Sequence, residues 1–171
     1  MKKDLNFDEV KEKKIEFLEQ NDSIVLATSL NNRVTARTVN YVFEGLTILF
    51  ASWVHLKKIA QIRESPKVAL CRDASKDGKN LFQISMEGTA EIVGSPQDEE
   101  SKRLIELYKK KLPSVYDFYF GRYPEEKYVF VKVKPTLIVS WVKKDDKVWM
   151  EYLDLEKRRA YLTTYFDEQE Y

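Results

Sequence analysis

A chain of 171 residues, 43% hydrophobic and 33% charged, fits one soluble globular domain over residues 1–171, large enough to bury a core without staples. Its 29 basic and 28 acidic residues leave a net charge of +1, which excludes the whole-molecule basic field of a nucleic-acid binder, and no apolar run is long enough to span a bilayer. The single cysteine, Cys71, excludes an internal disulfide, and the charged start Met1-Lys2-Lys3-Asp4 carries no apolar signal region, so a reducing, cytoplasmic setting is expected.

Phe7 to Gln20 reads as a helix (residues 7–20). Asp8 can cap it, and Val10, Phe17 and Leu18 fall on one face. Ile24-Val25-Leu26-Ala27 is a short continuous apolar run, which predicts a strand buried on both faces. Leu30-Asn31-Asn32-Arg33 predicts a hairpin turn, because asparagine tolerates positive φ. The next strand, Val34 to Phe43, alternates. Thr35, Arg37, Val39 and Tyr41 point one way; Val34, Ala36, Thr38, Asn40 and Val42 point the other. Glu44-Gly45 turns it into a strand from Leu46 to Ala51. Ser52 is the expected N-cap of a helix whose buried stripe is Leu56, Ile59 and Ile62, and Ser65-Pro66 ends that helix.

Val68 to Arg72 is a strand and Asp77-Gly78 a turn. In the long strand Leu81 to Val93, Gly88 marks a bulge or a close backbone approach. Ser95-Pro96-Gln97-Asp98 opens a helix with a capping serine and a proline at its first position. Leu104 and Leu107/Tyr108 supply its buried spacing, Lys109 to Lys111 complement its dipole, and Pro113 closes it. Val115 to Tyr123 is an aromatic-rich second helix. Strands Tyr128 to Val142 and Lys147 to Leu153 flank the charged turn Lys144-Asp145-Asp146. The tail, residues 156–171, reads as a docking arm or a partly disordered end. Short strands at regular spacing, with helices between some of them, predict a mainly β fold, a closed barrel with helical decoration.

Five glycines and no GxGxxG or GxxxxGK pattern exclude a glycine-rich phosphate loop, so an anion site must come from side chains and helix ends. Arg37 presents paired donors that match two phosphate oxygens, or it is a strand arginine paired with a surface acid. Ser52 with the N–H groups of a helix start forms an anion site, or it simply caps. Lys57 and Lys58 are point charges on a phosphate, or a solvated helix face. Their convergence favours the anion: a hairpin brings Arg37 beside the end of the Leu46–Ala51 strand, where the stretch Ser52 to Lys58 begins. His55 is the only histidine, which excludes a histidine-based metal cluster; it is a helix-surface residue or a proton donor to substrate. Cys71 reads as a small buried hydrophobe rather than a nucleophile.

Five segments carry a resemblance: Arg37-Thr38-Val39, Phe50-Ala51-Ser52, Leu56-Lys57-Lys58, Ser65-Pro66 and Gln83-Ile84-Ser85-Met86-Glu87-Gly88, with Lys58 eight residues before Pro66. The stretch Ile24 to Gly94 resembles the pyridoxamine 5'-phosphate oxidase family of split-barrel flavoproteins, which bind FMN at a homodimer interface. The resemblance implies a split β-barrel with added helices. It implies that Arg37, Ser52, Lys57 and Lys58 hold the FMN phosphate, with Ala51 in the same cofactor-binding set. It implies that the backbone of Thr38, Val39 and Asn40 lines the isoalloxazine, and that Gln83 reaches the flavin from the partner subunit. Trp141 stands where the family places a tryptophan near the flavin, or is a core aromatic. Tyr116, Tyr119 and Phe120 cover the ring or pack in the core.

Two departures narrow the expectation. The serine of the family's Ser-Arg-Lys is Leu56 here, which removes one hydroxyl. In true oxidases an arginine and a histidine follow the tryptophan and grip the vitamin B6 substrate; Lys147 and Trp149 stand at those positions. The chain therefore resembles the general-stress and nitroimidazole-resistance branch. The expected function is an FMN-dependent oxidoreductase passing hydride through flavin to a small-molecule substrate. The alternative is a flavin-binding or sensing protein without turnover, and deazaflavin or haem is the alternative cofactor.

Overall fold

A computed structural model describes residues 2–73, 83–93, 99–144 and 147–164. The predicted turns at Asp77-Gly78 and Asp145-Asp146, the helix start Ser95 to Asp98 and the end of the tail lie outside these residues. In chain order the elements are β1 (Lys3–Leu5), α1 (Phe7–Glu19), β2 (Ser23–Leu30), β3 (Arg33–Asn40), β4 (Val42–Glu44), β5 (Thr47–Trp53), α2 (Lys57–Glu64) and β6 (Lys67–Asp73). There follow β7 (Gln83–Val93), α3 (Glu99–Lys111), α4 (Pro113–Tyr119), β8 (Tyr128–Lys144), β9 (Lys147–Asp154) and β10 (Arg159–Thr164).

Every strand pairing is antiparallel, in the order β1-β10-β9-β8-β7-β6-β2-β3, with β5 pairing both β4 and β8. β8 closes the barrel because it is long enough to serve three strands. Its first half pairs β5, its second half pairs β9, and β7 runs along both. The change of partner coincides with a bulge between Glu87 and Gly88. A Cβ at Gly88 would lie 2.5 Å from the Lys134 carbonyl oxygen, so the strands approach here as only glycine allows.

The barrel interior is filled by alternating residues, among them Ile24, Leu26, Ile48, Phe50, Ile84, Met86 and Ile138, closed at its ends by α1 and α2. Burial of each such side chain contributes roughly 1.5–3 kcal/mol. The outer side of β4, β5 and β8 carries a second core, where Val42, Leu49, Tyr128 and Phe130 meet Leu104, Tyr108 and Leu112 from α3 and its end. Leu104 and Tyr108 share the helix face that the spacing predicted.

Several expectations need correction. Asn6, not Asp8, caps α1, its Oδ1 accepting from the backbone N–H groups of Asp8 and Glu9 at 3.0 and 3.2 Å. β2 is not buried on both faces. It alternates, and Val25 is 40% exposed. The strand from Val34 breaks at Tyr41, whose N–H turns to the Asp22 carbonyl and whose buried ring anchors the break. Ser52 belongs to β5, and α2 starts only at Lys57, with Leu56 at its cap position and no side-chain cap. Arg159–Thr164 of the tail is a strand, paired to β9 on one side and β1 on the other. The hairpin turn is as expected: Asn31 and Asn32 hold φ of 50° and 59°.

Candidate functional site

Arg37 sits on β3 opposite Leu26 of β2, its side chain on the inner face with Thr35. Its partners are all neutral. Nη1 donates to Thr28 Oγ1 at 2.6 Å, Nη2 donates to Thr35 Oγ1, and Nη2 reaches Gln61 Oε1 at 3.4 Å. Thr28 and Thr35 then donate to the same Gln61 oxygen at 2.7 and 3.0 Å. Gln61 reaches this network because α2 lays its buried face, Ile59, Gln61 and Ile62, across the end of the β2–β3 hairpin. Lys58 lies three residues earlier, one turn away and half-buried.

The electrostatics favour an anion. Burial lowers the proton affinity of the Arg37 guanidinium. Burial and the Arg37 charge together push the Lys58 ammonium below the usual lysine range. Among the described residues neither cation takes part in an ion pair. The surface-acid reading of Arg37 is thereby removed. Two neighbouring cations with no carboxylate against them among the described residues form a site that suits a phosphate.

The other expected residues fall in three places. Ser52 is buried on the barrel side of β5 and its Oγ makes only a long contact, 3.4 Å, to the Trp53 carbonyl. Its helix-capping role is excluded by its place in the strand. Lys57 and His55 are exposed, at the start of α2 and in the turn before it. Thr38, Val39, Asn40 and Ala51 line one small cavity of about 50 Å³, with Tyr108 of α3 and Val115 and Tyr119 of α4 on its far side. Tyr119 therefore covers the backbone expected to line a ring. Phe120 packs instead in the second core, stacked on Phe130 with ring centres 5.8 Å apart.

Gln83 and Trp141 lie opposite one another on β7 and β8. Gln83 donates to Cys71 Sγ at 3.4 Å, and Cys71 is partly exposed on the outer face rather than buried. The register Thr38–Val25–Cys71–Ser85–Val139 puts β7, with Gln83, three strand spacings from Thr38 and β8, with Trp141, four, about 14 and 19 Å along the sheet. Within one chain Gln83 and Trp141 do not join the Arg37 site.

Thr28, Thr35, Gln61 and Tyr108 were not singled out from the sequence. Two of them carried a signal. Thr35 is two residues from Arg37 on one strand, and Gln61 is three from Lys58 on one helix face. Among the described residues no cluster of His, Cys, Asp and Glu could hold a metal ion, and no helix is long and apolar enough to cross a membrane.

Residues 10–142 match the sequence family described as pyridoxamine 5'-phosphate oxidase. General Stress Protein 26 from Bacillus anthracis superposes with a TM-score of 0.61 at 22% identity, over 85% of this chain and 98% of that one. A FAD-binding protein from Mesorhizobium loti superposes with a TM-score of 0.63 at 18% identity, over 82% and 94%. HutZ, the heme storage protein of Vibrio cholerae, gives 0.60 at 13% identity, over 72% and 89%. No curated protein matches the chain. At these identities the likeness speaks to the fold, which is the mainly antiparallel split barrel with added helices.

Proposed function

The chain belongs to the pyridoxamine 5'-phosphate oxidase family, and on that footing we propose that it binds FMN and works as an FMN-dependent oxidoreductase, as a homodimer, in the cytoplasm. The observation that carries the reading is the pair of neighbouring cations Arg37 and Lys58, in no ion pair among the described residues, with Arg37 held by neutral groups. A dianionic phosphate would supply the charge these cations lack. Lys57 would add a solvated charge at the rim, and Ser52 the nearby end of β5. The backbone of Thr38, Val39 and Asn40, with Ala51, would take the ring under Tyr119. Bound FMN would supply the hydride chemistry itself; the chain positions it and limits water.

The homodimer reading rests on the outer face of β3, β2 and β6. Val25 and Val34 stand 40% and 67% exposed there, and a groove of about 470 Å³ runs past Ala27, Val34 and Ala69. In this reading the flavin-facing Gln83 belongs to the second copy, since within one chain β7 lies three strand spacings from the Thr38–Asn40 segment. Lys147 and Trp149 in place of an arginine and a histidine argue for a substrate other than vitamin B6.

The absorption spectrum of the purified protein tests the cofactor. A flavin spectrum with a phosphate-dependent affinity is expected, and a Soret band or a deazaflavin spectrum would overturn FMN. Turnover is tested by anaerobic reduction of the bound flavin and addition of acceptors. Reoxidation faster than that of free FMN supports an oxidoreductase. A second reading, flavin binding without turnover, draws on the cover that Tyr108, Val115 and Tyr119 place over the cavity; reoxidation no faster than free FMN would favour it.

A further inference from the structure

We propose that Gln61 sets the charge of the phosphate site, by holding Arg37 with a neutral oxygen where a carboxylate would cancel it. This rests on the phosphate reading of the Arg37–Lys58 site.

The proton directions in the network are forced. A guanidinium only donates. Thr28 and Thr35 therefore accept from Arg37, and each must send its own hydroxyl proton to Gln61 Oε1. With its oxygen toward Arg37, the Gln61 amide accepts from all three donors around it. Nε2 then faces away, buried and without a partner, although Gln61 is only 1% exposed. An amide with a saturated oxygen and an idle nitrogen is unusual inside a protein. It has a reason here if the requirement is orientation of Arg37 without neutralisation. Glutamate is the same length and would hold the guanidinium better in the free protein, as a buried ion pair. It would also remove the positive charge that a phosphate needs. Gln61 is thus a positioning residue for Arg37 and a determinant of phosphate specificity, distinct from the groups that contact the ring.

The experiment compares the affinities of FMN and riboflavin for the full-length apoprotein, by quenching of flavin fluorescence, in the unmodified chain, Gln61→Glu and Gln61→Met. Riboflavin shares the ring and lacks the phosphate. Gln61→Glu is expected to fold, to bind riboflavin as the unmodified chain does, and to lose about 10- to 100-fold of its preference for FMN. Gln61→Met removes the acceptor without adding charge, so it loses less of the preference while riboflavin binding holds. An unchanged FMN-to-riboflavin ratio in Gln61→Glu overturns the proposal. Should that variant not fold, an unchanged ratio in Gln61→Met overturns it instead. An unmodified chain that binds both flavins equally overturns the phosphate reading itself, and the role of Gln61 with it.

Discussion

The Tyr108 hydroxyl accepts the backbone N–H of Ala51 at 2.8 Å and reaches the Asn40 carbonyl at 3.2 Å, so one phenol from α3 bridges β5 and the end of β3. Both strands contribute to the cavity that the proposed ring would line. Lys111, one turn further along α3, donates to the carbonyls of Leu18 and Asn21 at 2.8 and 2.9 Å and sits 4.4 Å from the ring centres of Tyr41 and Phe43. α3 is thereby tied to the strands at one point and to the end of α1 at the next.

Tyr108→Phe tests the bridge. The ring still fills the second core, but the half-buried Ala51 N–H loses its acceptor, at a cost of about 1 kcal/mol. Urea denaturation should report that loss, and amide exchange at Ala51 should quicken more than at Leu49. Equal quickening at both would mean that the hydroxyl contributes no local hold.

The pH dependence of flavin binding reports on Lys58. In the free protein its ammonium lies below the ordinary lysine value of 10.5, through burial and through Arg37. A bound phosphate favours the charged form and raises it again. At pH below both values the residue is charged in either state and affinity is flat. Between them binding takes up a proton, so FMN affinity falls as pH rises through the free-state value. Riboflavin shares the ring's own ionisation and serves as the control. The FMN-to-riboflavin ratio should fall in the alkaline range for the unmodified chain and stay level for Lys58→Met.

Lys14 and Glu151 form a buried ion pair that ties α1 to β9. Burial pushes the Lys14 ammonium down, and the Glu151 carboxylate opposes that shift. Removal of one partner takes the counter-ion from a buried charge, so Lys14→Met or Glu151→Leu should each cost about 3–5 kcal/mol. The double variant should recover most of that stability, since the two costs share one cause. Additive losses in a double-mutant cycle would mean that the two groups are not coupled.

Gly88→Ala tests the closure of the barrel. The added methyl meets backbone, the Lys134 oxygen at 2.5 Å and the Pro135 Cα at 3.0 Å, and backbone in a paired strand cannot swing aside. Overpacking of this kind costs about 1–3 kcal/mol. The melting temperature should fall, whereas Gly121→Ala, whose methyl would meet the Asp117 oxygen at 2.8 Å outside the barrel, should leave the β7–β8 amides protected. Unchanged β7–β8 exchange in Gly88→Ala would show that the bulge tolerates a side chain.

Local chemistry was legible along the chain wherever it acts within a few residues. Asn31-Asn32 adopts the positive φ its type permits, Ser65-Pro66 ends α2, Gly88 marks the bulge, and Arg37 shares its strand face with Thr35 and Val39. The family was legible too, because its motifs are short and lie on these same elements. Errors arose where a residue's role depends on a distant neighbour. Ser52 reads as a cap from its type, yet β8 pairs with it at Val129 and draws it into β5. Arg159–Thr164 reads as a loose tail from its charged sequence, although β9 lies just across a hairpin; its other partner, β1, is remote and only three residues long.

Pattern and residue type alone therefore determined most of the strands, the Asn31-Asn32 turn and the basic character of the site. Only the tertiary structure decided that among the described residues no carboxylate reaches Arg37, that Gln61 and two threonines hold it, and that Tyr108 bridges Ala51 and Asn40. The reason is range. Hydrophobic period and turn preference act over a few residues, whereas the charge a partly buried cation carries to a ligand depends on groups as far as 24 positions away in sequence that the fold brings within hydrogen-bond distance of it.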